Sequence, residues 1–275
     1  PPPTDIAAPG RSPHARARAH LRSGPSPPIL PPLMGAHLPE RAPATSHRAT
    51  AYFDVDGTLV KTNLLHPMLH VMLQQPTPLQ SLKRLGRAVL AAPSLAAAEL
   101  RDRRRFNELL FAHYEGMSED RLVVLAEETY ESVIKPRMFQ GAADLVAQCH
   151  RADLRVVFVT GSLDVTVAPL ARELGADAVI ANRLEMRKGK ATGKLLRPVV
   201  AGPGKARLIA DDARAIGHDL GDCHGYSDSA SDVPMLSVVG HPFCINPDWR
   251  LRDLARAYDW AVLDLDRPSP GEGSE

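Results

Sequence analysis

Two carboxylates one residue apart, Asp54 and Asp56, follow the apolar run Ala51-Tyr52-Phe53 and lead into Gly57-Thr58. An apolar run ending in a glycine turn predicts a short strand with both acids at its carboxyl end, where open α/β sheets place their chemistry. Successive side chains of an extended chain point to opposite faces, so the two acids can share a site only where the strand breaks at Gly57. They are therefore expected to differ in role. One suits an ionised nucleophile beside a cation, the other a carrier of the proton for a leaving group. An Asx-rich turn closing a hairpin would also use Asp-Gly.

Three further groups could take part. Thr160-Gly161-Ser162 ends the buried-type strand Leu154-Arg155-Val156-Val157-Phe158-Val159. A hydroxyl there, followed by glycine, can donate to a phosphate oxygen beside exposed backbone amides, although an ordinary capped turn has the same residues. Pro203-Gly204-Lys205 opens a helix. A lysine in a first turn opposes the helix dipole and so invites an anionic partner; alone it would be a surface lysine. Asp228 and Asp232 lie four apart in Gly225-Tyr226-Ser227-Asp228-Ser229-Ala230-Ser231-Asp232, at a strand-to-helix junction where they can converge. Oxygen ligands without a histidine or cysteine pair nearby favour magnesium over zinc.

Phe53-Asp54-Val55-Asp56-Gly57-Thr58 resembles the first motif of the haloacid dehalogenase superfamily. Thr160, Lys205 and the Asp228 to Asp232 stretch are similar to its second, third and fourth motifs, in that order. The resemblance runs from residue 51 to about 263 and implies a magnesium-dependent phosphatase acting on a small phosphorylated substrate. It implies Asp54 and Asp56 as catalytic residues, Asp54 forming an aspartyl-phosphate. Thr160, Gly161 and Lys205 would bind the phosphoryl oxygens, and Asp54, Asp56 through its carbonyl, Asp228 and Asp232 would serve Mg2+. The fold implied is α/β, a Rossmann-like doubly wound, mostly parallel sheet with an inserted α-helical cap.

The elements that must position these groups fall into two kinds. Residues 51–62 and 136–265 alternate strand and helix patterns and are expected to form the core; 266–275 is a tail. Residues 63–135 read as helical. Leu64, Leu65, Met68, Leu69 and Met72 make one stripe, broken near Pro76-Thr77-Pro78; Leu79, Leu82, Leu85, Val89 and Leu90 make a second. Phe106, Leu109, Leu110 and His113 make a third. Ser118 caps a fourth, carrying Leu122, Leu125, Ala126, Thr129 and Val133 inward as far as Pro136. Four such helices predict a small bundle whose stripes form its core and which acts as a lid. Its position resembles the cap of the phosphoserine phosphatase-like branch, and Ala181-Asn182-Arg183-Leu184-Glu185 followed by Thr192-Gly193 resembles that branch too. That branch usually carries an acidic stretch early in its cap, whereas Leu64 to Gln75 has no acid, which argues against phosphoserine as substrate. The Arg101, Arg103, Arg104, Arg105 cluster reads as a solvated helix face or as a group that meets an anionic substrate.

With 33 basic and 32 acidic residues, the chain gives no electrostatic case for nucleic acid. Three scattered cysteines form neither a disulfide framework nor a zinc knuckle and suit a reducing compartment. Residues 1–50 hold 12 of the 25 prolines, six arginines, two acids and no aromatic residue. This composition predicts a disordered leader, either plain low-complexity sequence or an organelle transit peptide. No apolar run is long enough for a transmembrane segment, so the expectation is a soluble, cytoplasmic protein, or a plastid or mitochondrial one if the leader is a transit signal. Oligomeric state is left open. Two other functions fit parts of the pattern. One is a phosphoryl-accepting signalling module; the other is a scaffold that docks on a membrane or partner through the apolar helical insert.

Overall fold

The computed structural model describes residues 47–74 and 78–266. The expected leader therefore lies outside the described residues up to position 46, and the expected tail from 267 onward. The first strand, β1 (Ala49–Phe53), is buried along its whole length, as a strand covered on both faces must be. It begins two residues before the expected start, so residues 47–50 belong to the fold rather than to a leader. Arg48 N donates to Asp153 O at 3.2 Å, and Thr50 Oγ1 lies 2.8 Å from His218 Nδ1.

The helical insert follows as α1 (Leu65–Leu73), α2 (Pro78–Arg101), α3 (Arg103–Phe111) and α4 (Glu119–Thr129). Asp102 caps α3, its Oδ1 accepting from Arg104 N and Arg105 N. Ser118 caps α4 through Arg121 N, with Glu119 and Asp120 in the favourable first turn. Two details depart from the expected bundle. On α2, Leu79, Leu82, Val89 and Leu90 are exposed and do not form core; among the described side chains of that helix, Leu95 and Ala98 are buried. After α4, a five-residue π-helical segment, Tyr130 to Ile134, advances the register. Tyr130 and Ile134 are buried there, and Val133 is only half-buried.

The rest of the chain alternates: α5 (Ala142–Arg151), β2 (Leu154–Leu163), α6 (Asp164–Leu174) and β3 (Ala178–Asn182). A hairpin of β4 (Leu184–Arg187) and β5 (Lys190–Leu195) comes next, turning through Lys188 and Gly189, both at positive φ. Then come α7 (Pro203–Ile216), β6 (His224–Ser227), α8 (Val233–Val238), β7 (His241–Ile245), α9 (Trp249–Tyr258) and β8 (Ala261–Leu263). The main sheet runs β3-β2-β1-β6-β7-β8 with every neighbouring pair parallel. The chain winds outward from β1 on one side and then resumes on its other side, so β1 lies at the point where the winding reverses. The strand β2 does not end at Thr160; it continues to Leu163 across a register shift between Val159 and Leu163.

Two apolar clusters result. One lies along the main sheet; the other fills the insert. The second does not stop at residue 135, because Leu163, Val165, Leu184 and Ala191 belong to it. The hairpin is hydrogen-bonded to the insert: Gly116 N donates to Ala191 O, and Ala191 N to Met117 O, both at 2.8 Å. Just below the end of β1 an aromatic ladder crosses the sheet. Phe53 stacks on Tyr226 at 4.2 Å, Tyr226 on Phe243 at 4.9 Å, and Phe158 meets Phe53 edge-on at 6.3 Å.

Because Phe53 is fully buried within this ladder, Phe53→Ala should lower unfolding stability by about 3–5 kcal/mol in urea titration. A loss below about 1 kcal/mol would mean that the ladder is not a fixed part of the core.

Candidate active site

The carboxyl ends of β2, β1 and β6 lie side by side and open on a cavity of about 320 Å³. Asp54 leaves β1 with its N–H donating to Tyr226 O at 2.9 Å, which fixes its backbone to the neighbouring strand. Its buried carboxylate accepts from Lys205 Nζ at Oδ1, at 2.6 Å. Lys205 is the third residue of α7, a helix started by Pro203 after Gly202, whose φ is +46°. Its ammonium also donates to Asp232 Oδ2 at 2.8 Å, an atom that accepts from Ser227 Oγ at 2.9 Å as well. Asp232 was expected among the metal groups; its Oδ2 is instead engaged by Lys205 and Ser227.

Asp56 lies across the cavity with both carboxyl oxygens bonded. Oδ1 accepts from Thr62 Oγ1 and Oδ2 from Ser162 Oγ, each at 2.8 Å. Asp228 follows β6 and accepts from Thr58 Oγ1 at Oδ1, at 2.9 Å. Its close approach to the β1 turn requires Gly57. A Cβ on Gly57 would stand 2.2 Å from Asp228 Oδ2, and the φ of +87° there also favours glycine.

Burial raises the Asp54 carboxyl above its ordinary value, Lys205 pulls it back, and Asp232 and Asp228 push it up again. Burial likewise pushes Asp228 up, to about 6, against the hydrogen bond from Thr58. Burial works against the Lys205 ammonium, but Asp232 and Asp54 outweigh it and hold its pKa above the ordinary value. Three acids thus face one cation in a buried space, and the cluster lacks positive charge. A hard divalent cation fits that deficit and the all-oxygen donor set of Asp54, Asp228 and the Asp56 carbonyl. Among the described residues, no group of three or more histidine, cysteine or acidic side chains is already gathered as a metal cluster. Magnesium suits so sparse a set, since it keeps several waters and takes one or two carboxylates.

Gly161 lines the cavity; Thr160 does not. The Thr160 side chain is fully buried, and its Oγ1 accepts from Ser162 N at 3.0 Å. That bond uses Thr160 Oγ1 as acceptor and leaves its O–H to donate elsewhere, while the cavity wall there is the Gly161 backbone. Two asparagines that sequence reasoning missed as site residues fix that wall. Asn182 Nδ2 donates to Gly161 O and Val200 O at 2.8 and 3.1 Å, and Asn107 Nδ2 donates to Val200 O at 3.2 Å, with a longer contact to Gly161 O. Asn182 stood in a motif, whereas Asn107, on α3, had no local signal. Of the arginine cluster, Arg103 lines the cavity, and the insert adds Leu64 and Leu65 at the start of α1.

The sequence matches the haloacid dehalogenase-like hydrolase family over residues 51–237. It is 32% identical over 262 residues to phosphoserine phosphatase SerB1 of Mycobacterium tuberculosis, covering 95% of this chain and 84% of the relative. The fold is similar to that of a protein of unknown function from Bordetella pertussis, with a TM-score of 0.68, 28% identity, and coverage of 80% of this chain and 99% of that one. It is also similar in fold to a phosphoserine phosphatase solved in its apo form, with a TM-score of 0.57, 17% identity, and coverage of 80% and 94%.

Magnesium at a hundred times its dissociation constant should stabilise the protein by about 2.7 kcal/mol, read as a raised melting midpoint. Asp228→Asn should abolish that rise; an unchanged rise in the variant would remove Asp228 from the ligand set.

Proposed function

The chain belongs to the haloacid dehalogenase-like hydrolases, and on that premise we propose that it is a magnesium-dependent phosphatase cleaving a small phosphomonoester through an aspartyl-phosphate. The observation that carries this reading is the buried contact between Asp54 Oδ1 and Lys205 Nζ at the floor of a cavity that Asp56 and Gly161 also line.

Asp54 attacks phosphorus in line; the P–O bond to the leaving group breaks as the new P–O bond to the carboxylate forms. Asp56 gives its proton to the departing alkoxide, then accepts one from the water that attacks the phosphorus of the aspartyl-phosphate and releases inorganic phosphate. Thr62 and Ser162 hold the Asp56 carboxyl from both sides and so fix its direction. Lys205 neutralises charge on Asp54 and on the phosphoryl oxygens, and Asp232 with Ser227 keeps its ammonium in place. Amides around Gly161 receive the phosphoryl group, with Thr160 shaping their turn. Asp54, Asp228 and the Asp56 carbonyl would hold magnesium, which when bound supplies charge neutralisation for the transferring phosphoryl group. The insert covers the cavity from above and excludes water. The phosphoryl-accepting module is the weaker reading, because an aligned proton carrier at Asp56 promotes hydrolysis of an acyl phosphate that such a module must retain.

The test is phosphate release from a panel of phosphomonoesters that includes phosphoserine, which the relatives' names place first, with and without magnesium. Asp54→Asn should abolish turnover, and undiminished release by that variant would overturn the mechanism. Asp56→Asn should cost about 10²–10⁴-fold on alkyl phosphates. It should cost far less on an aryl ester whose leaving group departs without a proton; equal losses on both esters would deny Asp56 its role.

A further inference from the structure

The mechanism makes no use of the outer face of α1 and α2, which is unlike the rest of the surface. Along α1, Leu65, Leu69 and Leu73, four residues apart, are about half exposed, while Met68, Val71 and Met72 are buried. Along α2, Leu79, Leu82, Val89 and Leu90 are 75%, 66%, 65% and 84% exposed, with Gly86 and Pro93 on the same stripe. The opposite side turns Leu95 and Ala98 into the insert's core, with Ala88 and Ala91 packed against it. This helix thus leaves four large apolar side chains outward that its bundle does not cover.

We propose that this face docks on the surface of an anionic lipid bilayer. The charge pattern selects that occupant. From Gly57 through Ala98 the chain holds no acidic residue, but it holds Lys61, Lys83, Arg84 and Arg87. Helical register sets positions 83 and 87 beside the stripe of 79, 82, 86 and 90. An apolar stripe in an acid-free segment that also holds lysine and arginine is the composition of a helix lying in the headgroup layer, where burial and attraction to anionic lipid add. No helix among the described residues is long and apolar enough to cross a membrane, so the attachment is peripheral. On the neighbouring α1, Leu65 is about half exposed and also belongs to the wall of the catalytic cavity. The docking itself is independent of whether the site is a phosphatase.

The test is sedimentation of the full chain with vesicles of phosphatidylcholine alone and of phosphatidylcholine mixed with phosphatidylglycerol. Binding to the mixed vesicles is expected, weakened by added salt and by Lys83→Gln with Arg87→Gln. Leu82→Glu with Leu90→Glu should cut vesicle binding by roughly tenfold or more, with far-UV circular dichroism and melting midpoint unchanged because both positions are exposed. Failure to bind the anionic vesicles would overturn the proposal, as would equal binding by the glutamate variant. A parent dimer that becomes monomeric in the glutamate variant, without vesicle binding, would also overturn it and assign the face to a second copy of the chain.

Discussion

The ammonium of Lys205, held between Asp54 and Asp232 in a space closed to solvent, is the interaction on which the site depends. A buried charge is costly unless paired, and here one cation serves two acids with a third, Asp228, close by. The arrangement is therefore incomplete electrostatically in a definite direction. It holds two carboxylates firmly and leaves a deficit of positive charge where a metal and a phosphoryl group would each bring what the other needs. The same pairing explains why Lys205 sits in the first turn of α7 despite the unfavourable dipole, since its partners lie beyond the helix end.

That interaction is possible because the parallel sheet delivers its chain ends to one edge. β1, β2 and β6 bring together Asp54, Gly161 and Asp228 from segments far apart in sequence, and strand pairing sets their spacing. The ladder of Phe158, Phe53, Tyr226 and Phe243 locks those three strands and β7 just beneath the reacting groups. Gly57 then permits a contact that any side chain would block, bringing Asp228 against the turn after β1.

Much of this was legible because it is local. An apolar run with an acid at its end, or a proline-glycine start with a lysine in the first turn, states its geometry within a few residues, and the α/β core follows from such units in series. Features decided by a distant partner were not legible. The start of β1 was missed because Ala49-Thr50 does not read as apolar, and its burial comes from packing around His218. Thr160 read as the end of its strand, whereas β2 continues past it to Leu163 and its Oγ1 also accepts from Ser162 N. Asn107 belongs to the site only through two carbonyls that lie 54 and 93 positions further along the chain. The stripe on α2 was read correctly as amphipathic but assigned to the wrong side, because periodicity reports that a face exists and not what covers it.

The β4–β5 hairpin is discontinuous in sequence from the helical insert, yet it shares the insert's apolar cluster and backbone hydrogen bonds. As a unit of exchange between proteins, residues 63–135 are consequently incomplete without the hairpin. Transplanting that segment alone onto another core would take Leu184 and Ala191 out of its apolar cluster and strand the Gly116 and Met117 backbone groups that bond to Ala191. A chimaera that keeps its lid intact has to be spliced in two pieces, the helices and the hairpin together.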